Sequence, residues 1–176
     1  GEIGINHSGS IKKIRYYIDL ASQHGIDAIK LQLGSPEKFT TLENFKRFKL
    51  RSKTMIDANE IPHLVKYAKK KKILLFASPI TEDYVKLVAR EFGVIKIASG
   101  DINFTPILKE AFKSKKLTII STGASTLKEI SNIFKIFKDK KKVILMHCIS
   151  NYPTKIEDSN LINIEYLRKK FGVHVG

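Results

Sequence analysis

One cysteine, Cys148, is all that the 176 residues contain. An internal disulfide is therefore excluded, and a reducing cytoplasm is the expected setting. No apolar run is long enough to span a membrane, and no signal-peptide pattern stands at the front. Acidic residues are scarce, 17 against 32 Lys and Arg, which gives a formal charge of +15. No Gly-x-Gly-x-x-Gly follows the first apolar run, so the phosphate-binding fingerprint of a dinucleotide fold is missing. With 43% hydrophobic residues the chain can still bury a substantial core.

The positive charge raises the question of nucleic acid. Most lysines lie in runs such as Lys69 to Lys72 and Lys138 to Lys142. Both runs fall at the ends of predicted helices just before predicted strands, where cations complement the helix dipole and stay solvated. No interleaved aromatic platform accompanies them in the sequence, so a nucleic-acid partner is not expected.

Short apolar runs recur at Glu2 to Asn6, Ala28 to Leu33, Ile73 to Pro79, Val94 to Ser99, Leu117 to Gly123, Val143 to Cys148 and Val173 to Val175. Amphipathic segments separate them, with Ile11, Ile14, Ile18 and Ala21 in the first and Leu127, Ile130, Phe134 and Phe137 in the fifth. Thr105-Pro106 reads as an N-cap and N1 pair, and Thr126 to Glu129 as a capping box. Strand followed by helix, repeated, means a parallel sheet. The regular repeat favours an α/β fold, a (β/α)8 TIM barrel, over an open doubly wound sheet. About six and a half βα units are visible where a barrel needs eight and about 250 residues. The chain also starts without Met, inside an apparent strand, and stops inside another, so a segment of a longer protein is expected. Residues 34 to 58 interrupt the rhythm, with no clear strand, and are expected to form a long, mobile loop over the site.

Two of the apolar runs carry a lysine, Ala-Ile-Lys30-Leu-Gln32-Leu and Val-Ile-Lys96-Ile-Ala-Ser99. An unpaired ammonium among buried side chains is heavily penalised, so something anionic is expected to meet each of them. Glu2 is a carboxylate in another apolar run, and Ser78, Ser99 and Ser121 stand at strand ends. A different reading is open at each position. Lys30 and Lys96 could pair with carboxylates such as Glu2 or Asp101, and the serines could satisfy strand-end backbone groups. His7 could stabilise a turn. His147-Cys148 lacks a third ligand at helpful spacing, which points to hydrogen bonding rather than metal.

Six segments, in this order, closely resemble the sialic acid synthase (N-acetylneuraminate synthase) family: Glu2-Ile-Gly-Ile-Asn6-His7-Ser-Gly9, Ile29-Lys30-Leu-Gln32, Ala77-Ser78-Pro79, Lys96-Ile-Ala-Ser99-Gly100-Asp101, Ser121-Thr122-Gly123-Ala-Ser125 and His147-Cys148-Ile-Ser150-Asn151-Tyr152-Pro153. The resemblance implies a TIM-barrel catalytic domain over 1–176. It also implies condensation of phosphoenolpyruvate with an N-acylated mannosamine-type amino sugar, with release of phosphate. Lys30 and Lys96 then act as catalytic groups holding phosphoenolpyruvate with Ser78, Ser99 and Ser121. Glu2 orients substrate or handles a proton. Gln32, Ser150, Asn151 and Tyr152 contact the sugar, and which of Ser150 and Asn151 faces it is open.

By the same resemblance a divalent metal, manganese or magnesium, is the cofactor, with ligands outside this chain. The last βα units and a C-terminal antifreeze-like domain are likewise expected outside it. The full-length protein is expected to be a homodimer, and this segment alone to be inactive. Legionaminic or pseudaminic acid synthesis is an alternative activity, with Ser99-Gly100-Asp101 closer to the sialic and legionaminic branch. An inactive basic fragment binding polyanions is a third reading.

Overall fold

The computed structural model describes residues 1–41 and 43–176. The chain divides into two compact units, Gly1–Gly93 and Val94–Gly176. In the first, β1 (Glu2–Gly4), β2 (Ala28–Leu33) and β3 (Leu74–Pro79) pair in parallel in that order. Their helices are α1 (Ile11–Gln23), α2 (Pro36–Phe39), α3 (Phe45–Ser52), α4 (Ile61–Lys70) and α5 (Asp83–Glu91).

β1 is shorter than the apolar run that encodes it. Gly4 turns out of the extended region at φ 59°, and the Asn6 amide donates back to the Ile3 carbonyl, so the chain leaves the sheet two residues early. α1 follows the predicted spacing: Ser10 caps it, accepting from the Lys13 amide, and Ile14, Ile18 and Ala21 are buried. Polar contacts fix α1 to α4. The Tyr67 hydroxyl donates to Asp19 at 2.9 Å, and Lys71 Nζ lies 2.8 Å from the same carboxylate. Both contacts hold the Asp19 carboxyl below its ordinary range.

The expectation of a long loop over residues 34–58 needs correcting. It contains no strand among its described residues, but α2 and α3 occupy much of it. Pro36 suits the first turn of α2, and Asn44 caps α3 by accepting from the Arg47 amide. No residue of α3 is buried, so there is no apolar stripe by which periodicity could reveal it. Leu42, in the same stretch, lies outside the described residues. The end of the excursion is anchored: Ile56 is buried, and a Cβ on Gly9 would come within 2.8 Å of the Lys53 carbonyl.

The second unit pairs β4 (Val94–Ile97), β5 (Leu117–Ser121), β6 (Val143–Met146) and β7 (His174–Val175) in parallel. Its helices are α6 (Thr105–Lys113), α7 (Leu127–Ile136) and α8 (Ile162–Phe171). Ile95, Ile97, Ile107, Ile120, Ile133 and Leu145 are fully buried. Each such side chain contributes roughly 1.5–3 kcal/mol relative to exposure. Strands β4 to β6 stop two residues short of the predicted ends: Ser99–Asp101 forms a tight turn after β4, while the Thr122 and His147 amides still donate to the Met146 carbonyl in β6 and the Gly176 carbonyl just past β7.

The predicted cap at Thr105 is displaced by one residue. Thr105 is already helical and Phe104 is the N-cap, with no side-chain cap bond. The capping box at α7 is present in both directions: Thr126 accepts from the Glu129 amide, and Glu129 accepts from the Thr126 amide at 2.7 Å. Thr126→Ala should therefore destabilise the protein by about 1 kcal/mol. Urea unfolding checks it, and an unchanged midpoint would show that the box contributes nothing.

Candidate functional site

The sequence-selected residues fall into one cluster in each unit. In the first, parallel register puts Glu2 opposite Lys30 and Gln32 opposite Ser78. β2 alternates, with Ile29, Leu31 and Leu33 buried and Lys30 and Gln32 on the less covered face. Lys30 Nζ lies 2.5 Å from Glu2 Oε2, so the ion pair that the sequence left open is formed. The lysine side chain is only 12% exposed while that of Glu2 is 50% exposed, which leaves the carboxylate able to swing into solvent. Ser78 is buried at the end of β3.

His7 sits in the turn after β1, where its Nδ1 accepts from the Gly9 amide at 3.0 Å. The turn-stabilising reading of His7 is therefore the observed one. Burial holds its pKa below the ordinary histidine value, with the Gly4 carbonyl acting in the opposite direction.

In the second unit, the ends of β4, β5 and β6 bring five groups together. Lys96 Nζ donates to the Ile97 carbonyl at 2.6 Å and to Ser121 Oγ at 2.5 Å. Cys148 Sγ also donates to Ser121 Oγ, at 3.3 Å. Ser99 Oγ accepts from the Gly123 amide at 3.1 Å. Both serine hydroxyls accept in these contacts, so each keeps its own proton for an incoming oxygen.

Gly123 makes the convergence possible. A Cβ there would stand 2.6 Å from Ser150 Oγ and 2.8 Å from Ser99 Oγ. Ser150 thus reaches the cluster. Asn151 is exposed, its carbonyl accepting from the Thr154 hydroxyl, and Tyr152 is 95% exposed, so neither is drawn into it. His147 Nε2 lies 2.8 Å from the Ser159 carbonyl, the hydrogen-bonding role read from the sequence. Among the described residues, no three His, Cys, Asp or Glu side chains are grouped so as to hold a metal ion.

Two residues were not selected from the sequence. Gly123 carried no signal beyond its place in a motif, because its close approach depends on loops that meet only in the fold. Arg51, on α3, lines a cavity of about 20 Å³ with Gln32 and stacks on Phe39 at 4.3 Å. Burial and the neighbouring Arg47 lower its pKa.

Asp101 follows the Ser99–Gly100 turn, and burial raises its pKa, with Lys96 opposing. A raised carboxylate pKa means that folding disfavours the ionised form, a penalty present at neutral pH and lost once both states are protonated. Asp101→Asn should therefore raise the melting temperature at pH 7.5, by an amount that shrinks as the pH falls toward 4. Thermal scans across that range test the sign: a lower melting temperature at pH 7.5 would mean that attraction to Lys96 outweighs burial.

A family model described as the NeuB family matches residues 17–176. A pseudaminic acid synthase of Campylobacter jejuni is 33% identical over 191 residues, covering 99% of this chain and 56% of that protein. An N,N'-diacetyllegionaminic acid synthase of the same species is 27% identical over 194 residues, covering 99% and 58%. The chain thus spans about half the length of the curated relatives it matches. The crystal structure of the N-acetylneuraminic acid synthetase of Leptospira borgpetersenii, in complex with citrate, superposes with a TM-score of 0.93 at 32% identity, covering 100% of this chain and 62% of that one. The fold class expected from the sequence, α/β of the TIM-barrel kind, is the fold of this chain.

Proposed function

The chain belongs to the NeuB family, and from that premise we propose that residues 1–176 form the phosphoenolpyruvate-binding part of a sialic acid-type synthase. The observation that carries the reading is the strand-end cluster of the second unit, where an ammonium and two proton-bearing hydroxyls converge beside a glycine. Such a cluster suits a phosphate or carboxylate, since a charge-assisted donor and neutral O–H donors are already oriented. Lys30 and Ser78 are assigned to the same chemistry by the family pattern, and Gln32 to contact with the sugar. Glu2 is the counter-ion that neutralises Lys30 until an anion competes for it.

In the proposed reaction C3 of phosphoenolpyruvate bonds to the aldehyde carbon of an N-acylated mannosamine-type sugar. The C2=C3 π pair forms that bond while the aldehyde oxygen takes up a proton. Water adds at the cationic C2 and gives up its protons, and the bond from C2 to the bridging oxygen breaks, leaving a C2 ketone and inorganic phosphate. Lys96, Ser99 and Ser121 bind and orient the anion through these changes. The family's divalent metal finds no fitting set of ligands among the described residues, so no step is assigned to it through them. Pseudaminic acid chemistry is the second reading, favoured by the 33% identity to a synthase of that name.

Lys96→Met keeps bulk and removes the charge, and should weaken phosphoenolpyruvate binding by about 2–5 kcal/mol. Lys30→Met should weaken it in the same direction. Calorimetric titration decides both. Unchanged affinity with intact circular dichroism would sink the assignment of that lysine.

The α2–α3 stretch is proposed to cover substrate held by Gln32 in its own unit, beside which Arg51 lies. Hydrogen exchange in α3, which buries none of its residues, should be fast in the free protein and slow when phosphoenolpyruvate is added. Exchange that is already slow and indifferent to ligand would make the stretch purely structural.

A further inference from the structure

At the other end of β5 and β6, Lys116 and Lys142 immediately precede the first strand residues. There the last turns of α6 and α7 leave a hollow of about 370 Å³. Its floor is aromatic: Phe137 is buried, and the Phe112 ring meets it edge-on at 5.6 Å. Phe112 itself remains 38% exposed. Lys113, Lys115, Lys116, Lys138 and Lys142 surround the hollow with a single acid, Asp139.

The charges are poorly balanced. Lys113 Nζ is satisfied by Glu110 at 2.5 Å. Asp139 accepts from the Lys141 amide at 3.1 Å, capping the short turn before β6. Lys115, Lys116, Lys138 and Lys142 have no carboxylate within ion-pair distance among the described residues. A bland reading would have lysine stems covering a stray phenyl ring with their heads in water. Against it stands an open cavity at the small end of ligand-site volumes, with an apolar floor and charge of one sign at the rim. Its rings come from two helices 25 residues apart, which is why no aromatic platform could be seen beside the lysine runs in the sequence.

We propose that this hollow is a binding site for a small organic anion with a flat apolar body, an aromatic carboxylate, sulfonate or phosphate, which lays its ring on Phe112 and its acidic group among Lys116, Lys138 and Lys142. The volume fits one such molecule and is too small for a partner helix. The site does not use Lys96, Ser99 or Ser121, so it stands independently of the proposed reaction.

The probe is 8-anilinonaphthalene-1-sulfonate, titrated by fluorescence and followed by amide chemical shifts. One molecule should bind per chain, with shifts centred on Phe112, Lys116, Phe137 and Lys142. Lys116→Gln/Lys142→Gln should weaken binding by about tenfold, and raising salt from about 0.05 to about 0.5 M should act in the same direction. Phe112→Asp, at a position 38% exposed, should abolish it. The uncharged analogue N-phenyl-1-naphthylamine should bind at least about tenfold more weakly than the sulfonate, since it lacks the charge that the lysines recognise. Binding at several dispersed places, equal affinity for the neutral analogue, or wild-type affinity in the variants would overturn the proposal. So would an acidic peptide that displaces the probe at lower concentration than an aromatic carboxylate, which would make the surface a protein contact. Should the double variant lose its circular dichroism signal, Lys138→Gln reads the same charge dependence with a single change.

Discussion

An ammonium group held largely out of water must be neutralised or hydrogen-bonded where it sits, and the strands of both units are arranged around that requirement. β2 carries Lys30 between Ile29 and Leu31, and β1 supplies Glu2 at the matching register position. β4 carries Lys96 between Ile95 and Ile97, and there the chain bends its own carbonyl and the Ser121 hydroxyl toward the nitrogen. The two solutions differ in kind. Lys30 is held by a carboxylate from the neighbouring strand, and Lys96 donates to a backbone carbonyl and a serine hydroxyl. Asp101, whose carboxyl interacts with Lys96 through space, belongs to the second arrangement.

The same requirement explains what could be read without coordinates. A lysine inside an apolar run is conspicuous because its neighbours are buried by the strand period, so Lys30 and Lys96 were legible as lysines that need a polar partner. The seven strands and the buried stripe of α1 were legible for the same reason: hydrophobic alternation and the 3.6-residue period leave a one-dimensional trace. α3 left none, since a helix with no buried residue has a helix former's backbone and a loop's composition. The cap of α6 was misplaced by one residue because Phe104, with no polar side chain to accept, does not look like a cap.

Within the candidate site, the sequence named candidates and left their geometry open. The motif containing Ser150, Asn151 and Tyr152 left open which of the first two faces inward. Only the approach of Ser150 Oγ to Gly123 distinguishes them. The Glu2 partnership of Lys30 was one of two readings until parallel pairing set the register. The lysine-rimmed hollow at the other end of β5 and β6 lay further out of reach, because Phe112 and Phe137 meet only when α6 and α7 dock. Charge runs reveal their sign in a sequence but not what lies beneath them.

The turn at Gly9 has a further consequence for how the chain can vary in length. Gly9 takes φ 75° and lies so close to the Lys53 and Met55 carbonyls that any side chain would collide with them. The end of the long excursion between β2 and α4 is thereby pinned to the turn that follows β1, while α3 before it buries nothing. Residues can be added or removed around α3 at little energetic penalty, because loop-closure entropy grows only slowly with length. The same change between Lys53 and Ile56 would lift the backbone off Gly9 and draw Ile56 out of the core. The start of the excursion is held as well, by the Ser35 amide donating to Thr81 and by buried Pro36, so divergence in its length has room around α3, between two fixed ends.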